Sequence, residues 1–199
     1  MEHETLFTSS KWDILKSLEA GKKSPLDLAK ETNTSVANIS QQLRLLELAG
    51  LVKNERISNR DKGLPRILYS IADDISFIVA STPNFVNKKF LKLQDHQKCT
   101  LKIWFMDNQN LQRYVERFFW TIEKNLDKID VIAMDAKDFN NVKANLVTNN
   151  SELKKLKDVS IEGQFGTVKF SISFVKEQDA KKSLSDQYVI HDPKNIVCG

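Results

Sequence analysis

Apolar positions in the first part of the chain recur at helical spacing in three short runs and then switch to alternation. In KWDILKSLEAG, Ile14, Leu15 and Leu18 fall on one face, with Ser9 and Ser10 as candidate N-caps and Gly21 placed to end the helix. SPLDLAKET follows, with Ser24 as N-cap, Pro25 at the first helical position and Asp27 at the capping-box position. Thr32-Asn33-Thr34-Ser35 is a polar turn that supplies the next cap. A third helix, about 36–49, places Ile39, Leu43 and Leu46 at i, i+4, i+7, and Gly50 ends it. Leu51 to Ile57 and Arg66 to Ile71 read as two strands around SNRDKGLP, whose Gly63 and Pro65 are turn residues.

The pattern after residue 74 is different. A break at Thr82-Pro83 precedes Val86, Phe90 and Leu93, whose spacing predicts a helix within a 74–98 linker. LKIWF at 101–105 reads as a strand. NQNLQRYVERFFWTIEKNL carries the broadest apolar stripe of the chain, with Leu111, Val115, Phe118, Phe119, Ile122 and Leu126. IDVIAM at 129–134 has the continuous apolar character of a buried strand, and VKFSISFV at 168–175 alternates as a half-exposed one after the turn residues Gly163 and Gly166. YVI-HDPKN-IV at 188–197 predicts a terminal hairpin around Pro193. The fold class is therefore α+β: three helices with a β-hairpin wing, then a mixed α/β domain whose topology the pattern leaves unassigned.

Composition narrows the function classes. With 41% hydrophobic and 28% charged residues, the 199-residue chain has the means to build a core, and its length suits one large domain or two small ones. Cys99 and Cys198 form no CxxC pair, so a disulfide framework or thiolate cluster is not expected. The acidic start MEHETLFTSSKWDIL lacks the apolar core of a signal peptide, and no apolar run approaches the ~20 residues that cross a bilayer. A cytoplasmic protein without membrane contact is expected.

Net charge, +4, is mild, but its distribution is uneven. Residues 35–72 hold six basic and three acidic side chains, whereas 1–34 hold five and six. Helix, helix, turn, helix and hairpin in that order is the layout of a winged helix-turn-helix. SPLDLAKETNTSVANISQQLRLLELAGLV with KNERISNRDKGLPRILYSI resembles the DNA-binding domain of ArsR-type winged-helix regulators. The resemblance rests on Ser35, Ser40, Leu43, Leu46, Ala49, Gly50, Leu51 and Val52, followed by a basic wing, and covers about residues 9–72. It implies a transcriptional regulator that binds double-stranded DNA through the 35–49 helix and the 56–66 wing.

The residues suit that role. If Ile39, Leu43 and Leu46 are buried, the other side of the helix carries Val36, Ala37, Asn38, Ser40, Gln41, Gln42 and Arg44. Asn and Gln amides can pair with an adenine edge in two hydrogen bonds, worth about 1–3 kcal/mol of discrimination. Ser35 and Ser40 are assigned to phosphates, Gln41 and Gln42 to base edges or phosphates, and Asn38 to the same polar face. Arg44 is assigned to the backbone, and Arg56, Arg60, Lys62 and Arg66 on or beside the wing are its cations. Solvation alone is the bland explanation for such a helix, and the basic hairpin directly after it argues against that.

Other chemistry finds little support. ArsR-type metal sensing uses cysteines on the helix-turn-helix, and SPLDLAKET has neither Cys nor His. Asp95, His96 and Cys99, with His3, His191 and Cys198 near the termini, fall short of a four-ligand zinc pattern, so no metal or cofactor is expected. Nucleotide-cradling and hydrolase motifs are absent; Asp130 and Asp135 flank a strand as turn residues do, and EGQFG at 162–166 shapes a turn. An enzyme is not expected. The domains read as 1–73 for DNA, 74–98 as a linker or dimerisation helix whose lysines 88, 89 and 92 line its wet side, and 99–199 as an effector or dimerisation domain. One module buries too little surface for tight selective binding, so a homodimer is expected. The alternative is a winged-helix protein-interaction module in a larger assembly.

Overall fold

The computed structural model describes residues 7–57 and 66–197, which fall into two compact units, Met1–Leu93 and Gln94–Gly199. The first begins with α1 (Ser9–Glu19), α2 (Pro25–Glu31) and α3 (Val36–Leu48). Thr8, rather than Ser9 or Ser10, is the N-cap of α1, and its side chain makes no capping bond. At α2 the predicted capping box is present: Asp27 N donates to Ser24 Oγ at 3.3 Å, and Ser24 N donates back to Asp27 Oδ2 at 3.3 Å.

Both ends of the helix-turn-helix close by the same device. Asn33 adopts φ 51° after α2, and the amides of Asn33 and Thr34 donate to Lys30 O and Ala29 O. Gly50 adopts φ 73° after α3, while its own amide and that of Leu51 donate to Glu47 O and Leu46 O, each at 2.9 Å. These are Schellman closures, in which a left-handed residue turns the chain and satisfies the last carbonyls. Gly50 thereby aims Leu51 and Val52 straight into the core, where Ile14, Leu18, Leu28, Ile39, Leu43 and Leu46 are buried with them.

Strands β1 (Val52–Ile57) and β2 (Arg66–Ile71) pair antiparallel as expected. Lys23 adds a two-bond bridge to Tyr69, which ties the α1–α2 connection to β2. The next element corrects the sequence reading. The stretch from Ile75 to Lys92 is not a linker helix; β3 (Ile75–Thr82) and β4 (Phe85–Lys92) form a second antiparallel hairpin around Pro83 and Asn84, the latter at φ 69°. Val86 and Phe90 are four apart, which satisfies a strand face as well as a helix face. Pairing with Ser81 and Phe77 decided between them. Ile75 and Phe90 pack on the helix-turn-helix core, and Phe77 stacks on Phe7 with centroids 5.7 Å apart.

The second unit runs α4 (Asp95–Trp104), α5 (Gln109–Ile122), a 3-10 turn at Glu123–Lys128, β5 (Val131–Asp135), β6 (Asn141–Val147), β7 (Val159–Gly163), β8 (Gly166–Phe174), α6 (Glu177–Leu184) and β9 (Tyr188–His191). LKIWF is thus the end of a helix, not a strand. Gln97 Oε1 accepts from Gln94 N at 2.9 Å to start that helix, and Cys99 and Ile103, four apart, are its buried face. The predicted terminal hairpin is a single strand, β9, followed by a turn in which Asp192 accepts the amides of Ile196 and Val197. β6, β7 and α6 had no counterpart in the sequence reading.

One five-stranded sheet, in the order β7-β8-β6-β5-β9, organises this unit, with β6 and β8 parallel and the other pairs antiparallel. Ile132 and Met134 of β5 join the cluster formed with α4 and α5, while Val131 and Ala133 face Ala180 and Leu184 of α6. Burial on both faces is why VIAM reads as unbroken apolar sequence. Among the described residues, no helix is long and apolar enough to cross a membrane.

Candidate nucleic-acid interface

The polar side of α3 divides into two groups. Ala37, Ser40, Gln41 and Arg44 are exposed, and Ser40 Oγ donates to Val36 O at 2.8 Å, its own helix's carbonyl. Asn38 and Gln42 are only half exposed. Asn38 Nδ2 donates to Thr34 Oγ1 at 3.1 Å, and Gln42 Nε2 donates to Asn38 Oδ1 at 3.2 Å. The expectation that both amides stand on the outward face is therefore corrected: the helix rotates them toward the α2–α3 turn, where they form an i, i+4, i+8 ladder with Thr34. Gln42 Oε1 is buried without a partner among the described residues, beside a cavity of about 260 Å³ lined by Ser9, Ser10, Asp13 and Thr32 among others. Ser35 caps the helix, its Oγ accepting from Asn38 N at 3.2 Å.

The wing presents its cations on two sides. Register pairs Arg56 with Ile67 and Ile57 with Arg66, so the two arginines project from opposite faces of the hairpin. Arg56 continues the face that starts at buried Val52, and Arg66 shares its face with Lys53 and Glu55. Glu55 is bound by Lys22, which lowers its carboxyl below the usual range and offsets its charge on that face. Arg60 and Lys62 lie outside the described residues. Nothing in α2 offers a thiol or imidazole, and α3 ends on an exposed Leu48 (69%).

Cys198 and His3 lie outside the described residues, and the described soft donors of the second unit are used otherwise. Asp95 pairs with Lys98 at 2.6 Å and His96 Nε2 with Glu123 at 2.8 Å. Cys99 Sγ lies 3.6 Å from His191 Nδ1, and His191 Nε2 lies 3.1 Å from Ile129 O. The carbonyl can only accept, so Nε2 carries the proton and Nδ1 accepts from the thiol. Burial pushes the Cys99 thiol up to about 12 and holds the His191 imidazole below its ordinary value, against the pull of Asp95. Among the described residues no group of three or more His, Cys, Asp or Glu converges as a metal site. Asp130 is held by Lys194 at 2.6 Å, and Asp135 accepts the amide of Lys137, each at its own end of β5.

This buried pair sets a pH dependence. Below the unfolded imidazole's pKa of about 6.5 the unfolded chain takes up a proton that folded His191 refuses, so stability falls as pH falls. Urea unfolding between pH 7.5 and pH 5 is expected to show that loss, and His191→Gln to flatten it. A wild-type slope retained in the variant would place the titration elsewhere.

A three-helix unit with a β-hairpin wing and a polar, solvent-facing third helix defines the winged helix-turn-helix class. Residues 8–54 match the family described as bacterial regulatory protein, arsR family, so the N-terminal helix-turn-helix is ArsR-like. Among solved structures, a doubly substituted Lactococcus lactis ZitR is 16% identical, covering 60% of this chain and 75% of its own, with a TM-score of 0.29. No curated protein matches the chain.

The sequence reading missed the Thr34–Asn38–Gln42 ladder, although spacing by four was visible. Arg113 and Arg117, four apart on the wet side of α5, are a second signal in the sequence beside its apolar stripe.

Proposed function

We propose that the protein is a transcriptional regulator that binds double-stranded DNA in a sequence-dependent way, with α3 in the major groove and the β1–β2 wing on the backbone. The observation that carries this reading is the exposed row Ala37, Ser40, Gln41 and Arg44 on the third helix of an ArsR-like helix-turn-helix. Gln41 is the base reader, and Ser35, Ser40 and Arg44 contact phosphates. Asn38 and Gln42 act from behind by fixing the start of α3, and reach DNA only if the ladder opens. Arg56 and Arg66, with Arg60 and Lys62 at the tip, neutralise backbone charge from both faces of the wing.

The protein acts as a homodimer on two-fold-related half-sites about 34–36 Å apart. The β3–β4 hairpin supports this part. Val79 (63% exposed) and Val86 (78%) continue the face on which Phe77 and Phe90 stand, with Lys88 and Ser81 opposite them, and a two-stranded sheet alone is marginal in water. The region 99–199 serves effector sensing.

Mobility-shift titrations with random duplex test the reading. Affinity is expected to fall with salt at a logarithmic slope of about −0.9 per phosphate neutralised. Arg56→Ala with Arg66→Ala should lower affinity on all sequences and make that slope shallower by about two contacts. Absence of any shift at ~50 mM salt would sink the DNA reading in favour of a protein-interaction module.

A further inference from the structure

The second unit has a cleft between the first turns of α5 and the β7–β8 turn. Two adjoining cavities, of about 180 and 210 Å³, share Arg113, Gln164 and Phe165 in their walls. The turn is bolted to the helix. Tyr114 Oη donates to Gly166 O at 3.0 Å and accepts from Phe165 N at 2.9 Å. Gly163 lets the tyrosine ring approach, because a Cβ there would stand 2.7 Å from three of its atoms. The cleft is thus preformed by hydrogen bonds on either side of the phenol.

Its charge is unbalanced. Arg117 Nη1 donates to Glu162 O, which fixes one guanidinium at the wall. Glu162 lies between Ile161, buried toward α5, and Gly163, against Tyr114, so strand alternation sends its carboxylate to the far face of the sheet. Arg113, one turn earlier, makes no hydrogen bond or ion pair among the described residues. Like charges four apart on a helix repel, and among the described residues no acid lines either cavity. Phe165 holds its ring half exposed (48%) at the same wall, and the amides of Gln109, Asn110 and Gln164 complete it.

We propose that this cleft binds a small organic anion that joins a phosphate or carboxylate to a planar ring. The acid group is held by Arg113 and Arg117 through charge-assisted hydrogen bonds, which the planar fork of a guanidinium makes in pairs. The ring lies against Phe165, and its polar edge meets the amides, which both donate and accept. The site stands on the second unit alone and does not depend on DNA binding.

Isothermal titration of the full chain tests it, with AMP and benzoate as probes of the two acid groups. Adenosine and benzamide supply the rings without charge, and inorganic phosphate and acetate the charge without a ring. At least one of the two anions is expected to bind with Kd below about 1 mM, and its separate halves at least about tenfold more weakly. Binding by AMP alone assigns the site to phosphates, and by benzoate alone to carboxylates. Arg113→Gln and Phe165→Ser should each weaken the bound anion about tenfold or more while the thermal melt stays within a few degrees of wild type. The proposal is overturned if neither anion binds at ~10 mM, if phosphate or acetate alone binds as tightly as the whole anion, or if both variants bind like wild type.

Discussion

Phe118→Ala is expected to destabilise the second unit by about 3–5 kcal/mol, the largest single effect foreseen in the chain. Phe118 is fully buried on α5 and stacks on Phe170 of β8, with ring centroids 4.6 Å apart and planes 12° from parallel. It joins the helix to an interior strand of the sheet, because β8 is paired on both sides, to β7 and to β6. Truncation removes its own apolar transfer energy and leaves a void among rigid strands that cannot close over it. Urea unfolding followed by emission from Trp104 and Trp120, both in this unit, reads the change. A midpoint equal to wild type would show that α5 is not anchored through this residue. Phe118→Leu, which keeps most of the volume, should cost far less.

Leu43→Ala is expected to cost the first unit about 2–5 kcal/mol, against a total domain stability of about 5–15 kcal/mol. Leu43 is fully buried with Ile39 and Leu46 on the inner side of α3, packed on Ile14, Leu18 and Leu28. Trp12 emission reports this unit. Gln41→Ala, two residues away on the exposed side, should change stability by no more than about 0.5 kcal/mol. The two variants therefore separate the helix's jobs. Leu43→Ala weakens duplex binding only as far as it unfolds the domain, so cooling or a stabilising osmolyte restores binding. Gln41→Ala leaves the fold intact and alters which sequences are preferred. If Gln41→Ala changed neither affinity nor preference, base reading by α3 would have to rest on other residues.

How far the fold was legible depended on how local its causes were. The three N-terminal helices and their turns followed from residues within a few positions of one another. Ser24, Pro25 and Asp27 start α2, and Ser35 caps α3. Gly50 ends α3 by taking a left-handed conformation that a side chain disfavours. The strands of the wing followed from alternation next to turn residues. The same reasoning failed where two periods agree on the same residues. Val86 and Phe90 fit a helix and a strand equally, and only their pairing with β3 made the choice. LKIWF has strand composition, yet its Ile103, with Cys99 one turn earlier, meets the core of the second unit from a helix. β6 and β7 depend on partners in the sheet, and α6 buries only Ala180 and Leu184, too little apolar spacing to stand out.

The candidate site shows the same division. The sequence by itself determined that three short helices in helix-turn-helix order open the chain, that Ile39, Leu43 and Leu46 hold the third of them, and that a basic hairpin follows. Caps, period and charge are written in neighbouring residues, and those suffice. Tertiary structure alone decided which amides of that helix meet solvent, because Thr34 and the α2–α3 turn draw Asn38 and Gln42 inward and leave Gln41 and Arg44 out. It also decided that Arg56 and Arg66 leave the wing by opposite faces, since strand register fixes which side each residue takes. Arg113, Arg117 and Phe165 are 52 positions apart at their extremes, and they share a cleft only because Tyr114 ties the β7–β8 turn to α5. Contacts of that separation depend on the folded chain as a whole, and no spacing in the sequence announces them.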